Sequence, residues 1–362
     1  MLSLVMNSRT AWNDYFYGYT PSNYIYQLYT SRITRSGTYL YISNCLFRSI
    51  SSSGYGGALC CESATFMLIE STSFFSCKLS GGGGQGGAIY FSNSGSQCVL
   101  YEVCGYDCST TTRWDRQFAH IYVNNSASIK NYVNYSSISR CVNEVSDAYH
   151  TLYLNYGQIL CPSVNMSMNK NYGYSGIYCY PSVDSNSVTC SFTYSTFADN
   201  HAITYTCIYL SSTSANKEIK YCNIIRNTQG TLGSYGTIYT SGNLTIEDCC
   251  ILENRATNIF YQGSSSHIIT LSKCTVDSTS NNGYLTIQNT VTKSFILALN
   301  HMFTRYCNVQ YDVVGTIPIL PPSSSSAEKQ IQCSCDRYLY YLIQKNFISL
   351  ISLFLALKLL PQ

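Results

Sequence analysis

GTIYTSGNLTIEDCCILEN, residues Gly236 to Asn254, holds two short apolar segments that recur along the chain. The first, GTIYT, has counterparts in GGALC at Gly56, GGAIYF at Gly86, AHIYV at Ala119, HTLYL at His150, SGIYC at Ser175 and TCIYL at Thr206. TNIFY at Thr257 and GYLTI at Gly283 continue it. Its aligned aliphatic residues are Leu59, Ile89, Ile121, Leu152, Ile177, Ile208, Ile238, Ile259 and Leu285, spaced 21 to 32 residues apart. The second segment has the form apolar-x-x-Cys-x-apolar. It reads Ile42, Cys45, Phe47; Tyr101, Cys104, Tyr106; Ile219, Cys222, Ile224; Ile246, Cys249, Ile251; and Leu271, Cys274, Val276. Ile69, Thr72, Phe74 and Phe192, Ser195, Phe197 keep the frame with a hydroxyl in place of the thiol.

Clusters of Ser, Asn and Gly separate these segments and read as turns. Each segment alternates with period two over four to six residues, as a half-buried strand does. A unit this short cannot bury its own apolar face, whereas stacking such units one strand spacing apart buries a continuous core. The pattern predicts an all-β fold: a right-handed parallel β-helix of about nine coils, followed by a C-terminal hydrophobic helix. A β-propeller needs about 40 residues per blade, longer than these spacings. The predicted layout is an N-terminal cap or first coil over 1–40, the β-helix over 41–313, a Pro/Ser linker over 314–337 and a hydrophobic tail over 338–362.

Composition agrees. Of 362 residues only 11% are charged, 45% are hydrophobic and 35 are Tyr. Few Lys and Glu leave little material for helical surface, while Tyr, Ser, Thr and Asn favour strands and turns. A net charge of +3 without a basic block gives nucleic acid no electrostatic footing.

GGAL at Gly56 and GGAI at Gly86 resemble the GGA-I/L/V repeat of the polymorphic membrane proteins, which pair it with F-x-x-N. FADN (Phe197 to Asn200) matches that second motif, and IIRN (Ile224 to Asn227) and ILEN (Ile251 to Asn254) match with Ile for Phe. The Cys, Tyr and Ser content is similar to that of the related surface proteins of parasitic protists. The resemblance spans roughly residues 40 to 310. It implies a surface-displayed β-helix with a hydrophobic tail; no C-terminal β-barrel follows, so autotransport is not implied.

At the N-terminus the apolar run of MLSLVMNSR stops at Asn7, too short for the h-region of a secretory signal. At the other end, Phe347 to Leu360 is a candidate membrane segment, short of the roughly 20 residues that span a bilayer. The 19 cysteines suggest an oxidising compartment. Cys222, Cys249 and Cys274 share one frame position and are expected to form an inward column of core thiols. Any disulfides are expected to close off-frame cysteines such as Cys60, Cys77 or Cys179.

Candidate chemistry is thin. The GxGxxG within Gly81 to Gly87 precedes a strand rather than a helix, and so reads as a turn. His120, His150, His201, His267 and His301 lack metal-ligand spacing, and Cys104 with Cys108 makes only half of a zinc motif. Asp184, Asp199, Glu218, Glu247, Asp248 and Asp277 fall on different coils and hold no common offset, unlike a hydrolytic pair. No catalytic, cofactor-binding or metal residue is therefore assigned, and no cofactor is expected. Rows of Tyr could bind sugars or proteins, or could simply pack neighbouring coils. The expected function is non-catalytic: adhesion to a host or neighbouring cell through a cell-surface protein or glycan, with membrane attachment through the tail. The alternatives are a diverged carbohydrate-active enzyme on a pectate-lyase-like β-helix and a soluble structural repeat protein.

Overall fold

The computed structural model describes residues 11–81, 84–111, 115–142, 149–230 and 235–292. Over these residues the chain is a parallel β-solenoid whose coils visit three sheets in turn. One coil runs through Tyr39–Ser43, Leu46–Arg48 and Leu59–Cys61 before returning to the first sheet at Phe66–Glu70. The first sheet has eleven strands, from Ser22–Ile25 to Leu285–Gln288. The second also has eleven, from Leu28–Tyr29 to Val291–Thr292, and the third has nine, from Ile33–Arg35 to Phe260–Gln262. The candidate membrane segment, the linker and the coil boundary at 313 lie outside the described residues. Among the described residues no helix is long and apolar enough to cross a membrane.

The corner between the first two sheets explains the Cys-centred motif. Two apolar residues five apart on one straight strand face opposite sides. Here a single left-handed residue bends the chain between them: Asn44, Ser71, Tyr194, Tyr221, Asp248 and Lys273 all have φ between 45° and 57°. The next residue then turns inward, so Ile219, Cys222 and Ile224 all line the core. Cys222, Cys249 and Cys274 form the expected buried column, with the Cys222 N–H donating to Cys249 Sγ at 3.3 Å. All three thiols are free.

The frame differs from the sequence reading in one coil. Leu100 pairs with Ile69 and Gly105 with Phe74, so the inward trio is Leu100, Val103 and Gly105 rather than Tyr101, Cys104 and Tyr106. Cys104 is thereby turned off the inward row, and it is disulfide-bonded. Cys60, Cys77 and Cys179 are free buried thiols, contrary to expectation.

A second corner follows the second sheet, again at left-handed residues such as Ser76, Asp107, Asp199 and Arg226. The inward residue after it is Cys77, Cys108 and Cys141 in three successive coils, then Asn169, Asn200, Asn227 and Asn254. The asparagines form a ladder. Asn200 Oδ1 accepts from the Asn169 N–H and Nδ2, both at 3.1 Å, while Asn200 Nδ2 donates to Met166 O at 2.8 Å and Asn227 Oδ1 at 2.9 Å. The asparagine of F-x-x-N thus satisfies corner backbone groups that burial would otherwise leave unpaired.

In the third sheet Leu59 pairs with Ile89, Leu152 with Ile177, and Ile177, Ile208 and Ile238 follow in line, all fully buried. Ala119, not Ile121, completes that row; Ile121 is buried one row over, opposite Phe91. Phe260 replaces Ile259 in it, and Leu285 belongs to the first sheet, beside Ile269. The GGA glycines serve the same stacking. A Cβ at Gly57 would sit 2.0 Å from Gly87 O, and Gly56 and Gly86 have φ of 67° and 80°.

The segment before the first coil lies along the outside of the first sheet. Trp12 and Phe16, in and just after the helix Ala11–Tyr15, bury themselves against Tyr41, Phe66, Leu68 and Val99. The outward residues of early coils are apolar because this segment covers them.

Candidate functional site: an aromatic wall

The residue after each aligned aliphatic in the third sheet points outward, because side chains alternate along a strand. In most coils that residue is Tyr. In-register parallel pairing then sets rings one strand spacing apart, close to the separation aromatic stacking prefers. The result is a row through Tyr90, His120, Tyr153, Tyr178, Tyr209, Tyr239 and Tyr261, extended by Tyr55, which reaches Tyr90 from the turn before Leu59 because Cys60 holds the strand position in that coil. Successive centroids lie 4.2 to 5.8 Å apart with interplanar angles of 5° to 31°.

A second row runs beside it through His150, Tyr174, Tyr205 and Tyr235, with centroids 4.8 to 5.5 Å apart. The rows meet edge to face, as at Tyr174 and Tyr209 (4.7 Å, 65°) and at His150 and Tyr178 (4.9 Å, 86°). The Arg116 guanidinium lies 4.4 Å from the Tyr153 ring centroid, a cation–π placement midway along the first row.

Ring faces in such rows are occupied by the neighbouring rings. What reaches solvent is a strip of ring edges and phenol hydroxyls. Burial pushes the Tyr178 hydroxyl up to about 12 and raises Tyr174 and Tyr209 further, so at neutral pH these groups are neutral and both donate and accept. Burial likewise holds His120 and His150 well below the ordinary histidine value, aided by the nearby Arg116 charge, so both rings are neutral. The wall is a polar-tipped, uncharged strip apart from Arg116.

The other candidates take structural places. His201 Nδ1 meets Thr228 Oγ1 at 2.7 Å, and His267 sits in a turn with Ser264 and Ser266; His301 lies outside the described residues. Gly84 to Gly87 lead into the third sheet at Ile89. Glu218 pairs with Lys220 at 2.8 Å, Glu247 with Lys273 at 3.0 Å, and Asp199 with Arg226 at 2.7 Å. Asp184 accepts from Ser187 in its own turn, and Asp277 from the Glu253 N–H. Among the described residues no three His, Cys, Asp or Glu side chains are placed to share a metal ion. A shallow polar cavity of about 310 Å³ beside the first sheet is lined by Asn186, Asn216, Lys217, Glu218, Lys220 and Asn243, among others.

The composition flagged Tyr, but the two-row arrangement was missed. Its signal was the Ile-Tyr or Leu-Tyr pair repeated at Tyr90, Tyr153, Tyr178, Tyr209 and Tyr239. Comparison with family models, with curated proteins and with solved structures returns no match to this chain. The likeness to the polymorphic membrane proteins therefore rests on the repeat motifs alone.

Proposed function

We propose that this chain is a non-catalytic binding scaffold displayed at a cell surface, and that the aromatic wall is the face that meets a partner on a host or neighbouring cell. The observation that carries the reading is the unbroken row from Tyr55 to Tyr261, spanning eight rings across consecutive coils. Core packing needs inward residues only; an outward aromatic in nearly every coil of one sheet exceeds that need. Tyr combines large contact area, little side-chain entropy to lose and a polar tip, the properties of interface anchors. A solenoid repeats that anchor along a straight line, which suits an extended partner or a broad surface.

Display is tested by surface biotinylation of intact cells, where labelling of the full chain supports it and labelling only after lysis refutes it. Partner binding is tested with purified protein on target cells. Tyr178→Phe with Tyr209→Phe keeps the stacking and removes two hydroxyls, so binding should weaken several-fold while Tyr194→Phe, on another face, leaves it unchanged. Equal binding by all three proteins would refute the role of the wall. Release of reducing ends from polysaccharides would overturn the non-catalytic reading.

A further inference from the structure

Four sequons of the form Asn-x-Ser/Thr occur in the chain, at Asn124, Asn134, Asn165 and Asn243. The fold places them differently. Asn134 is buried beneath the N-terminal strap, where its Nδ2 donates to the Tyr15 hydroxyl at 2.6 Å. Asn165 is half-buried, and its Nδ2 donates to the Ser137 and Ser167 hydroxyls at 2.9 and 3.1 Å. Asn124 is half-buried in the turn before Lys130–Asn134. Of the four, Asn243 alone is exposed.

Asn243 stands immediately before the first-sheet strand Leu244–Glu247. Alternation along the strand sends Leu244 into the core and leaves Asn243 and Thr245 together on the outer face, both exposed. The turn that leads in is held at Gly242, whose N–H donates to Thr240 Oγ1 at 3.3 Å and whose carbonyl accepts from Gln262 Nε2 at 3.0 Å. The acceptor side chain is oriented too. Asn243 Oδ1 accepts the Ile268 N–H of the next coil at 3.0 Å, while Nδ2 makes no hydrogen bond among the described residues. A glycosylated amide keeps its carbonyl oxygen, so the bond to Ile268 survives attachment. Asn243 and Thr245 also line the shallow cavity with Asn186, Asn216 and Lys220, which offer polar groups to a first sugar.

We infer that Asn243 carries an N-linked glycan. The inference rests on the surface-display reading, since the donor is a polyprenyl-pyrophosphate oligosaccharide met on the secretory route. Asn243 Nδ2 gives up one proton to the solvent and forms a bond to C1 of the first sugar. The bond from C1 to the pyrophosphate oxygen breaks, and the polyprenyl pyrophosphate leaves with the electron pair. The bulky, polar product stands off the first sheet, where it displaces no packing. A glycan on Asn134 would instead hold the strap, and Tyr15 with it, off the sheet.

The test takes the full-length protein from intact, surface-biotinylated cells and treats it with peptide N-glycosidase in heavy-oxygen water. Peptide mass spectrometry should show heavy aspartate at position 243 in most of the surface-labelled protein. Asn243→Gln and Thr245→Ala should each abolish the glycan at this position. Thr245→Ser, which keeps a sequon, should retain it, and so separates loss of the acceptor pattern from damage to the strand. Surface-labelled protein with an unmodified Asn243 would overturn the inference and leave display standing. Labelling only after lysis would refute display instead. The site is then judged on the full-length chain sent through a eukaryotic secretory host behind an added leader: a glycan at Asn243 in the secreted protein sustains it, and a bare Asn243 overturns it.

Discussion

A left-handed backbone residue turns the corner between the first and second sheets in each described coil and the corner after the second sheet in most, and these residues are not glycine. A non-glycine residue in this conformation costs about 1 kcal/mol or more, yet the solenoid tolerates it at Ser49, Ser76, Tyr194 and Arg226 among others. Ser49 is exposed with φ of 52°, which isolates the backbone term. Ser49→Gly should hold or raise stability by up to about 1 kcal/mol, and Ser49→Val should lower it by about 1–2 kcal/mol. Urea unfolding midpoints check both signs. Asn200 gives a stricter test. Replacing it with Ala strips the side-chain partner from the enclosed Asn169 N–H and Met166 O, while Asn227 Oδ1 keeps the N–H of residue 200. Each orphaned group costs about 1–3 kcal/mol, so Asn200→Ala should destabilise by about 2 kcal/mol or more. Asn200→Cys should cost less, because the earlier coils place Cys77, Cys108 and Cys141 in that column, and their thiols also donate to carbonyls.

At the scale of the element, the two imidazoles in the aromatic rows make the wall sensitive to acid. Burial lowers the folded pKa of His120 and His150. Below about pH 6.5 the unfolded chain therefore takes up protons that the folded rows refuse, and stability falls as pH falls. His120→Tyr should continue the row of phenols and remove one histidine's share, about 1.4 kcal/mol per pH unit at acid pH. Thermal melts between pH 4 and 7 would show the flatter profile; an unchanged slope would mean that His120 is protonated in the folded state. The N-terminal strap is a second separable element. Trp12→Ala should cost about 3–5 kcal/mol of strap docking and open residues 11–20 to protease while the coils stay protected.

These elements also show what the amino-acid pattern disclosed. The corner motif was legible because Cys and Ile recur at fixed offsets from Cys222 to Cys274. It slipped by one at Tyr101 because Tyr and Cys fit an inward pattern as well as Leu100 and Val103 do. It slipped in the third sheet because Ala119 carries too little apolar bulk to stand out beside Ile121. The aromatic wall was harder to see, since outward residues face no core and obey no hydrophobic rule. The strap was invisible for the opposite reason: Leu68 and Val99 look like ordinary strand residues until something is known to cover them.

For the whole molecule, the decisive chemistry is the number of thiols kept neutral. Burial raises Cys61 to about 12, and lifts Cys98, Cys141 and Cys161 well above the ordinary value. In the unfolded chain these thiols ionise near pH 8.5, while in the solenoid they stay protonated. The stability they contribute is therefore fully present below about pH 8.5 and drains away as pH climbs through the unfolded value toward the folded one. Each such thiol removes about 1.4 kcal/mol per pH unit once the unfolded form is ionised, so these four alone remove about 5 kcal/mol per unit. Lys217 acts in the opposite sense. Desolvation lowers it to about 8, so its penalty is relieved as pH rises from there toward 10.5, but it is one group against many. A domain's net stability is only about 5–15 kcal/mol. Under reducing conditions the fold should therefore be stable and nearly pH-independent from pH 7 to 8, then unfold cooperatively between about pH 9 and 10.5. Circular dichroism across an alkaline titration reads this directly. Cys98→Ala with Cys161→Ala would lose packing at pH 7 yet shift less per pH unit above 9, and a slope equal to that of wild type would mean that those two thiols are not the groups that titrate.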